Sequence, residues 1–263
     1  LGYGTLWIPE TTGRNPMPHA AWLLANTERL NLATGIANIY HREPGVTLAA
    51  QNTLAEQSGG RFLLGMGVSH APLVEGVRGL TYGKPLATMR AYLDGMDAAP
   101  YTAPAPPARP PRVIAALGPK MLELARDRCD GAHPYFTSPQ HTAMAREILG
   151  PEPMLCVEQK VILETDPAKA RELARGVASI YINLPNYRNN WLRMGLTEAD
   201  LADNGSDRFV DTTFAWGTEE QIRARLREHF DAGASHVCIQ PVHPNGVFGD
   251  LHWDALEALK DAA

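Results

Sequence analysis

The sequence predicts a (β/α)8 barrel, and three observations predict it. Helical segments closed by glycine recur, each followed by a short apolar strand. Those strands read as continuous apolar runs rather than alternating ones, as strands covered on both faces do in a parallel sheet wrapped by helices. The 263 residues also suit a single barrel of roughly 250 residues. A doubly wound open sheet is the alternative.

The recurring unit can be followed along the chain. "PGVTLAAQNTLAEQSGG" is a helix stopped at Gly59 and Gly60, and "RFLLGMGV" follows as a strand. "PKMLELARDRCDG" stops at Gly131 before "AHPYF". "TEEQIRARLREHFDAGA" sets Ile222, Leu226 and Phe230 four apart on one face and breaks at Gly233 before "HVCIQPV". Glycine supplies the left-handed cap at such ends. Seven strands are expected, near "TLWIPE", "LNLATGIANI", "RFLLGMGV", "RVIAALG", "AHPYF", "MLCVEQKVIL" and "HVCIQPV". The opening "LGY" reads as the end of a helix, so the barrel's first strand is expected to be missing from the chain as given.

Residues 1–263 are read as one barrel domain with two irregular segments. "PYTAPAPPARPP" (Pro100–Pro111) is a stiff, exposed proline loop between a helix and a strand of the same repeat. Tyr181–Gly217 is too long for a simple connection and rich in aromatics, and is read as an insertion, a candidate lid or interface or else packing on the barrel exterior.

Composition bounds the function. A net charge of −5 argues against a nucleic-acid or anionic-membrane surface. No apolar run approaches the ~18 residues of a membrane span, and the opening residues are not expected to act as a signal peptide. Cys129, Cys156 and Cys238 are scattered, with no C-x-x-C, and are expected to be reduced thiols of a cytoplasmic protein.

The stretch "RFLLGMGVSHAPLVEG" (Arg61–Gly76) admits three readings. A dinucleotide fingerprint needs G-x-G-x-x-G running into a helix, and His70 stands in the third place. A nucleophile elbow needs G-x-S-x-G followed by a helix. "GVSHA" misses it by one residue, and the sequence after it reads as a glycine-punctuated loop. The third reading survives: glycines at a strand end leave bare backbone for a flat ligand, with Ser69 and His70 as the first polar groups at the lip. His70 alone would be an ordinary loop histidine. Its company argues otherwise, because Glu10, Asn38, His41, His133 and His243 also follow strands, and strand ends converge in a barrel.

A metal centre is the competitor for such a rim. Neither a paired H-x-H nor an H-E-x-x-H is visible, so no metal ligands are assigned and a metal-dependent barrel hydrolase ranks second. In "RVIAALGPKMLELAR" a strand ends at Leu117, Gly118 turns, Pro119 suits the first helical position, and Lys120 follows. The start of that helix is an anion site if Lys120 turns inward, or an ordinary turn with a solvated lysine if it does not.

"LGYGTLWIPE", "LATGIANIYHREP", "LAEQSGGRFLLGMGVSH", "AALGPKMLELARDRCDGAH" and "AGASHVCIQ" resemble, in order and spacing, the luciferase-like flavin monooxygenase superfamily. The likeness is greatest to its actinobacterial, F420-dependent oxidoreductases. The resemblance implies a (β/α)8 barrel that binds F420, or alternatively FMN, over the strand ends. It implies hydride transfer between that cofactor and a small organic substrate. It places a strand bulge, often with a non-prolyl cis peptide, at Gly35, Ile36 and Ala37, and sets Glu10 near the ring. Gly65, Gly67, Val68 and Ser69 form the next wall, and Leu117, Gly118, Pro119 and Lys120 lie near the phosphate. His70 falls where some relatives carry an acidic residue. A histidine side chain, whose unperturbed pKa is about 6.5, suits proton transfer at neutral pH, so His70 is the expected proton donor or ring-edge orienter, with His133 and Glu10 as alternates. Related proteins are often dimers, so a homodimer is one expectation. A catalytically silent flavin-binding protein is the third function class.

Overall fold

The computed structural model describes residues 1–246 and 251–260. The chain divides into two compact units.

The first unit comprises Tyr3–Ala116 and Lys120–His133. In chain order it contains β1 (Thr5–Ile8), α1 (Pro16–Ala25), β2 (Asn31–Thr34), β3 (Ala37–Asn38) and α2 (Pro44–Gln57). There follow β4 (Phe62–Gly67), α3 (Pro85–Ala98), β5 (Arg112–Ile114), α4 (Pro119–Arg128) and β6 (Gly131–Ala132). β2 pairs with β1 and β4, β3 pairs with β4, and β5 pairs with β4 and β6, always in parallel. The helix starts follow capping chemistry. Asn15 accepts from Met17 N–H, Glu43 accepts from Val46 N–H, and a proline opens each helix. Gly59 and Gly60 end α2 at φ 66° and 91°, the left-handed region that a Cβ disfavours. Leu32, Leu64, Met66, Val113 and Ile114 are fully buried beneath the helices.

The second unit comprises Leu1–Gly2, Leu117–Pro119 and the chain from Pro134 onward. It holds α5 (Pro139–Leu149), β7 (Met154–Ile162), α6 (Pro167–Tyr181), α7 (Pro185–Arg193) and α8 (Asp207–Thr213). It continues through β8 (Phe214–Trp216), α9 (Glu219–Asp231), β9 (His236–Pro241) and α10 (Trp253–Ala258). β7 pairs in parallel with both β8 and β9. Thr218 and Gln221 close a capping box on α9.

Six of the seven expected strands are present, and the one expected at "AHPYF" is reduced to the two residues Gly131–Ala132. Two local readings need correction. An additional strand, β8, lies inside Tyr181–Gly217. Three residues are too few to carry a periodic signal, which is why the sequence reads as irregular there. The aromatics of the segment are core: Trp191 and Phe209 are buried against Phe136, at centroid distances of 5.1 and 6.1 Å. The second correction concerns Pro72–Val77, read as loop but folded as a π-helical turn. Arg78 N–H donates to Leu73 O at 3.1 Å, a five-residue span that the nearby glycines do not prevent. A helical turn therefore does follow Ser69, which itself takes φ 56°. The loop that the sequence reading set against an elbow serine is therefore replaced by a helical turn, and the remaining mismatch, Ala71 for the second glycine, is one that such a turn could tolerate.

Candidate active site

The rim of the first unit is built on a bulge. Ala33 pairs with Leu63, and Ala37 pairs with Met66. Three residues on one strand thus face two on the other, one more than the ladder needs. Thr34 fills the gap: its hydroxyl donates to Gly65 O at 2.7 Å and accepts from Gly65 N–H at 2.9 Å. Gly35 and Ile36 lie within the bulge, both half-buried, and the peptide bond between them is cis.

The bulge also explains the two glycines of β4, and differently from the sequence reading, which left them bare for a ligand. A Cβ on Gly65 would stand 2.0 Å from Thr34 O, and one on Gly67 would stand 2.7 Å from Ile36 Cγ1. The glycines seat the neighbouring strand. The accessible surface is then Gly35 and Ile36 themselves. Behind Gly35 lies a stacked pair, Trp7 and His133, with ring centroids 4.1 Å apart and planes 13° off parallel. A Cβ on Gly35 would meet His133 Nε2 at 3.1 Å and Trp7 Cε3 at 3.2 Å.

Glu10 ends β1 in a network. Oε2 accepts from Asn38 N–H at 2.8 Å and from Arg42 Nη1 at 2.7 Å. Oε1 accepts from Arg42 Nη2 at 2.5 Å and lies 3.2 Å from His41 Nδ1. Burial raises its pKa, but the Arg42 guanidinium and the Asn38 amide outweigh that and hold the carboxylate below its ordinary value. A carboxylate so held is a poor proton donor. It anchors Arg42 and the end of the bulge.

Val68, Ser69 and His70 continue from β4 and are half-buried. The backbone carbonyl of His70 accepts from Leu73 and Val74 N–H, which starts the π-helical turn, and Tyr82 OH donates to Ser69 O at 3.1 Å. Lys120 is exposed at the start of α4. His243 accepts from Asn245 N–H at 3.0 Å, as a turn cap.

The second unit holds the Leu117–Gly118–Pro119 turn. Leu117 O is 2.9 Å from His141 Nε2. Burial brings His141 down to about 4, so the ring is neutral at ordinary pH and Nε2–H is the donor. The nearest atom to a Cβ on Gly118 would be Arg193 Nη2 at 4.0 Å, so the turn is open on that side. A second polar group lies on β7, where Glu158 and Lys160 face the same way and are buried. Lys160 Nζ donates to both Glu158 oxygens at 3.2 Å and to Gln240 Oε1 at 3.1 Å, and sits 3.7 Å from the Tyr135 ring centroid. Burial lowers Lys160 to about 8 and raises Glu158. Two charges two residues apart inside the apolar run "MLCVEQKVIL" were the available signal for this pair, which the sequence reading took only as strand.

Glu10, Gly35, Ile36, Ala37, Gly65, Gly67, Val68, Ser69, His70 and His133 all lie in the first unit. Leu117, Gly118 and Pro119 belong to the second unit. Trp7, Arg42, Glu158 and Lys160 are additions from the structure. Among the described residues, no group of three or more His, Cys, Asp or Glu side chains is placed to hold a metal ion.

A parallel α/β sheet with a bulged, glycine-seated rim defines the class, and comparison with known proteins supplies the family. The model of the luciferase-like monooxygenase family matches residues 1–236, and the chain belongs to that family. It is 32% identical over 178 residues to a protein from Mycobacterium tuberculosis named as a coenzyme F420-dependent oxidoreductase, over 56% of this chain and 51% of that protein. The chain therefore spans about half the length of that relative. It is 26% identical to the 5,10-methylenetetrahydromethanopterin reductase of Archaeoglobus fulgidus, over 93% of this chain and 87% of that one. Among solved structures, an F420-dependent secondary alcohol dehydrogenase bound to an F420–acetone adduct superposes with a TM-score of 0.74 at 15% identity. That superposition covers 100% of this chain and 90% of the other, and it shows the shared fold, the luciferase-type barrel expected from the sequence.

Proposed function

We propose that this chain is an oxidoreductase that exchanges hydride between coenzyme F420, or alternatively FMN, and a small organic substrate. The observation that carries the reading is the bulged rim, which holds Gly35 and Ile36 half-buried on a base of Trp7 and His133. That surface suits a planar ring, because flat backbone and stacked aromatics offer contact without protruding side chains. The name of the mycobacterial relative favours F420. When bound, the cofactor supplies the carbon or nitrogen centre that gives or takes hydride. The chain's residues bind, orient and manage one proton. Glu10, Gly35, Ile36, Ala37, Gly65, Gly67, Val68 and Ser69 shape the ring wall, with Glu10 as anchor rather than acid. Leu117, Gly118, Pro119 and Lys120 lie toward the phosphate, with Lys120 adding charge at the start of α4.

His70 is the proposed proton donor or ring-edge orienter, with His133 the alternate. For His70→Ala the expected result is a turnover at least about 100-fold lower, as loss of an acid–base group gives, with the cofactor Kd within a factor of three. Steady-state kinetics beside a binding titration measures both, and unchanged turnover removes His70 from the chemistry. The reading as a whole is tested by titrating purified protein with F420 and with FMN and following each chromophore's spectrum. Saturable F420 binding supports it, binding of FMN alone selects the other cofactor, and binding of neither overturns it.

The same reading extends to setting. No described helix is long and apolar enough to cross a membrane. Cys129, Cys156 and Cys238 are free, and burial pushes Cys129 up to about 11 and Cys156 to about 12. Unreactive thiols of this kind fit a reducing, cytoplasmic compartment, and the mycobacterial relative favours an actinobacterial source. A homodimer, and Tyr181–Gly217 as its contact or as a lid, belong to the same proposal; the aromatics of that segment are committed to the core.

A further inference from the structure

The backbone at Ser69 is held where a serine does not rest of itself. Its φ is 56°, in the left-handed region that penalises a residue with a Cβ and persists only where neighbouring structure imposes it. Two sets of contacts impose it, one on either side of His70. The Tyr82 hydroxyl donates to Ser69 O at 3.1 Å, and that carbonyl belongs to the peptide joining Ser69 to His70. On the other side, His70 O accepts from Leu73 N–H at 3.1 Å and from Val74 N–H at 3.0 Å. Both peptide planes that carry His70 are therefore pinned, and with them the direction of its Cα–Cβ bond.

The π-helical turn supplies one pin locally; Tyr82 supplies the other from 13 residues along the chain. Tyr82 is itself fixed. Its ring stacks on Tyr40 at a centroid distance of 5.6 Å with planes 29° apart, and its N–H donates to Glu75 Oε1 at 3.1 Å. The next residue, Gly83, donates its N–H to the Tyr40 hydroxyl oxygen at 2.8 Å. Tyr40 lies in the 3-10 turn Ile39–His41 that follows β3, and β3 pairs with β4 through Asn38 and Gly67, just before Ser69. The Tyr40–Tyr82 pair thus carries the register of β3 on β4 around to the Ser69 turn, entirely within the first unit. Burial, with Tyr40 adding to it, pushes Tyr82 up to about 12, so the hydroxyl keeps its proton and remains a donor.

We infer that Tyr82 is a positioning residue for His70: its hydrogen bond to Ser69 O fixes the peptide on which the imidazole is mounted. The inference rests on the reading of His70 as proton donor or ring-edge orienter. Tyr82 gives no proton to the reaction in this role. It holds the group that does, and a misplacement of about 1 Å at such a group costs about 100-fold in rate. Without the hydroxyl, the strained turn at Ser69 is held only from beyond His70, by Leu73 and Val74.

The test compares wild type, Tyr82→Phe, His70→Ala and the double variant. Phenylalanine keeps a ring to stack on Tyr40 and removes only the hydroxyl. In Tyr82→Phe, kcat is expected to fall about 10-fold or more, with KM and the cofactor Kd within about a factor of two. In the His70→Ala background the same change should add nothing, because the group it positions is gone. Unchanged kcat in Tyr82→Phe, or an equal loss in both backgrounds, overturns the inference. If wild type binds neither F420 nor FMN, or His70→Ala turns over normally, the reading of His70 fails alone. The positioning is then decided on the free protein by the rate at which diethyl pyrocarbonate modifies His70, assigned as the reaction that His70→Ala lacks. A rate about threefold or more faster in Tyr82→Phe than in wild type, as a ring released from a pinned backbone gives, upholds the positioning role, and equal rates overturn it.

Discussion

Gly65→Ala is expected to cost the fold about 3 kcal/mol, the upper end of ordinary overpacking, and to weaken cofactor binding with it. The added Cβ would stand 2.0 Å from Thr34 O, a backbone atom that cannot rotate away as a side chain would. Relief requires β2 to move off β4, and Thr34 Oγ1 then loses both of its bonds to Gly65. Gly35 and Ile36 follow Thr34 directly, so the proposed ring wall moves too. Gly76→Ala is the control, because a Cβ there meets nothing within 4 Å and its backbone is not left-handed. Its stability should stay within about 0.5 kcal/mol of wild type. Thermal unfolding with and without F420 measures both quantities. A Gly65→Ala protein with wild-type melting temperature and Kd would mean that the glycine does not seat the bulge.

That glycine also marks where sequence reasoning reaches and where it stops. Gly65 and Gly67 stand out in "RFLLGMGVSH" because a strand interior disfavours glycine, so a close approach at those positions could be expected. What approaches could not: bare backbone suits a ligand or a neighbouring chain equally, and the occupant proved to be Thr34 and Ile36. The parallel strands were legible because burial on both faces leaves continuous apolar runs. β8 was not, since "FAW" inside a polar, helical stretch carries no period. Glu10 was legible as a polar residue closing an apolar run, but its partner Arg42 was not, because a loop arginine is ordinarily solvated. Arg193 lies on α7, far in sequence from Gly118, and no local pattern joins them. Glu158 and Lys160 are a different failure. Their charges were in plain view, but an apolar run outvotes two exceptions when a segment is read as a whole.

Those two exceptions set up the other large effect. Lys160→Met should destabilise the protein by about 3–5 kcal/mol, the cost of stripping one partner from a buried ion pair. Glu158 would keep the Phe136 N–H at 2.8 Å but lose the cation that both its oxygens face. Gln240 would lose one of its two donors and keep the Tyr135 hydroxyl at 2.8 Å. Because the penalty is an uncompensated charge rather than a lost contact, Lys160→Met with Glu158→Gln should be more stable than Lys160→Met alone. The pH dependence has a definite direction. Burial takes Lys160 down to about 8 from an ordinary 10.5, so between those values the unfolded chain binds the proton that the folded chain has released. Stability contributed at this site therefore rises as pH goes from 8 to 10.5 and is lost as pH falls back through 8. Urea denaturation of wild type and Lys160→Met across that range isolates the effect, since other alkaline groups cancel in the difference. A gap between the two proteins that stays flat, or a double variant no better than the single one, would mean that Lys160 keeps an ordinary, solvated pKa and that the Glu158 charge does not depend on it.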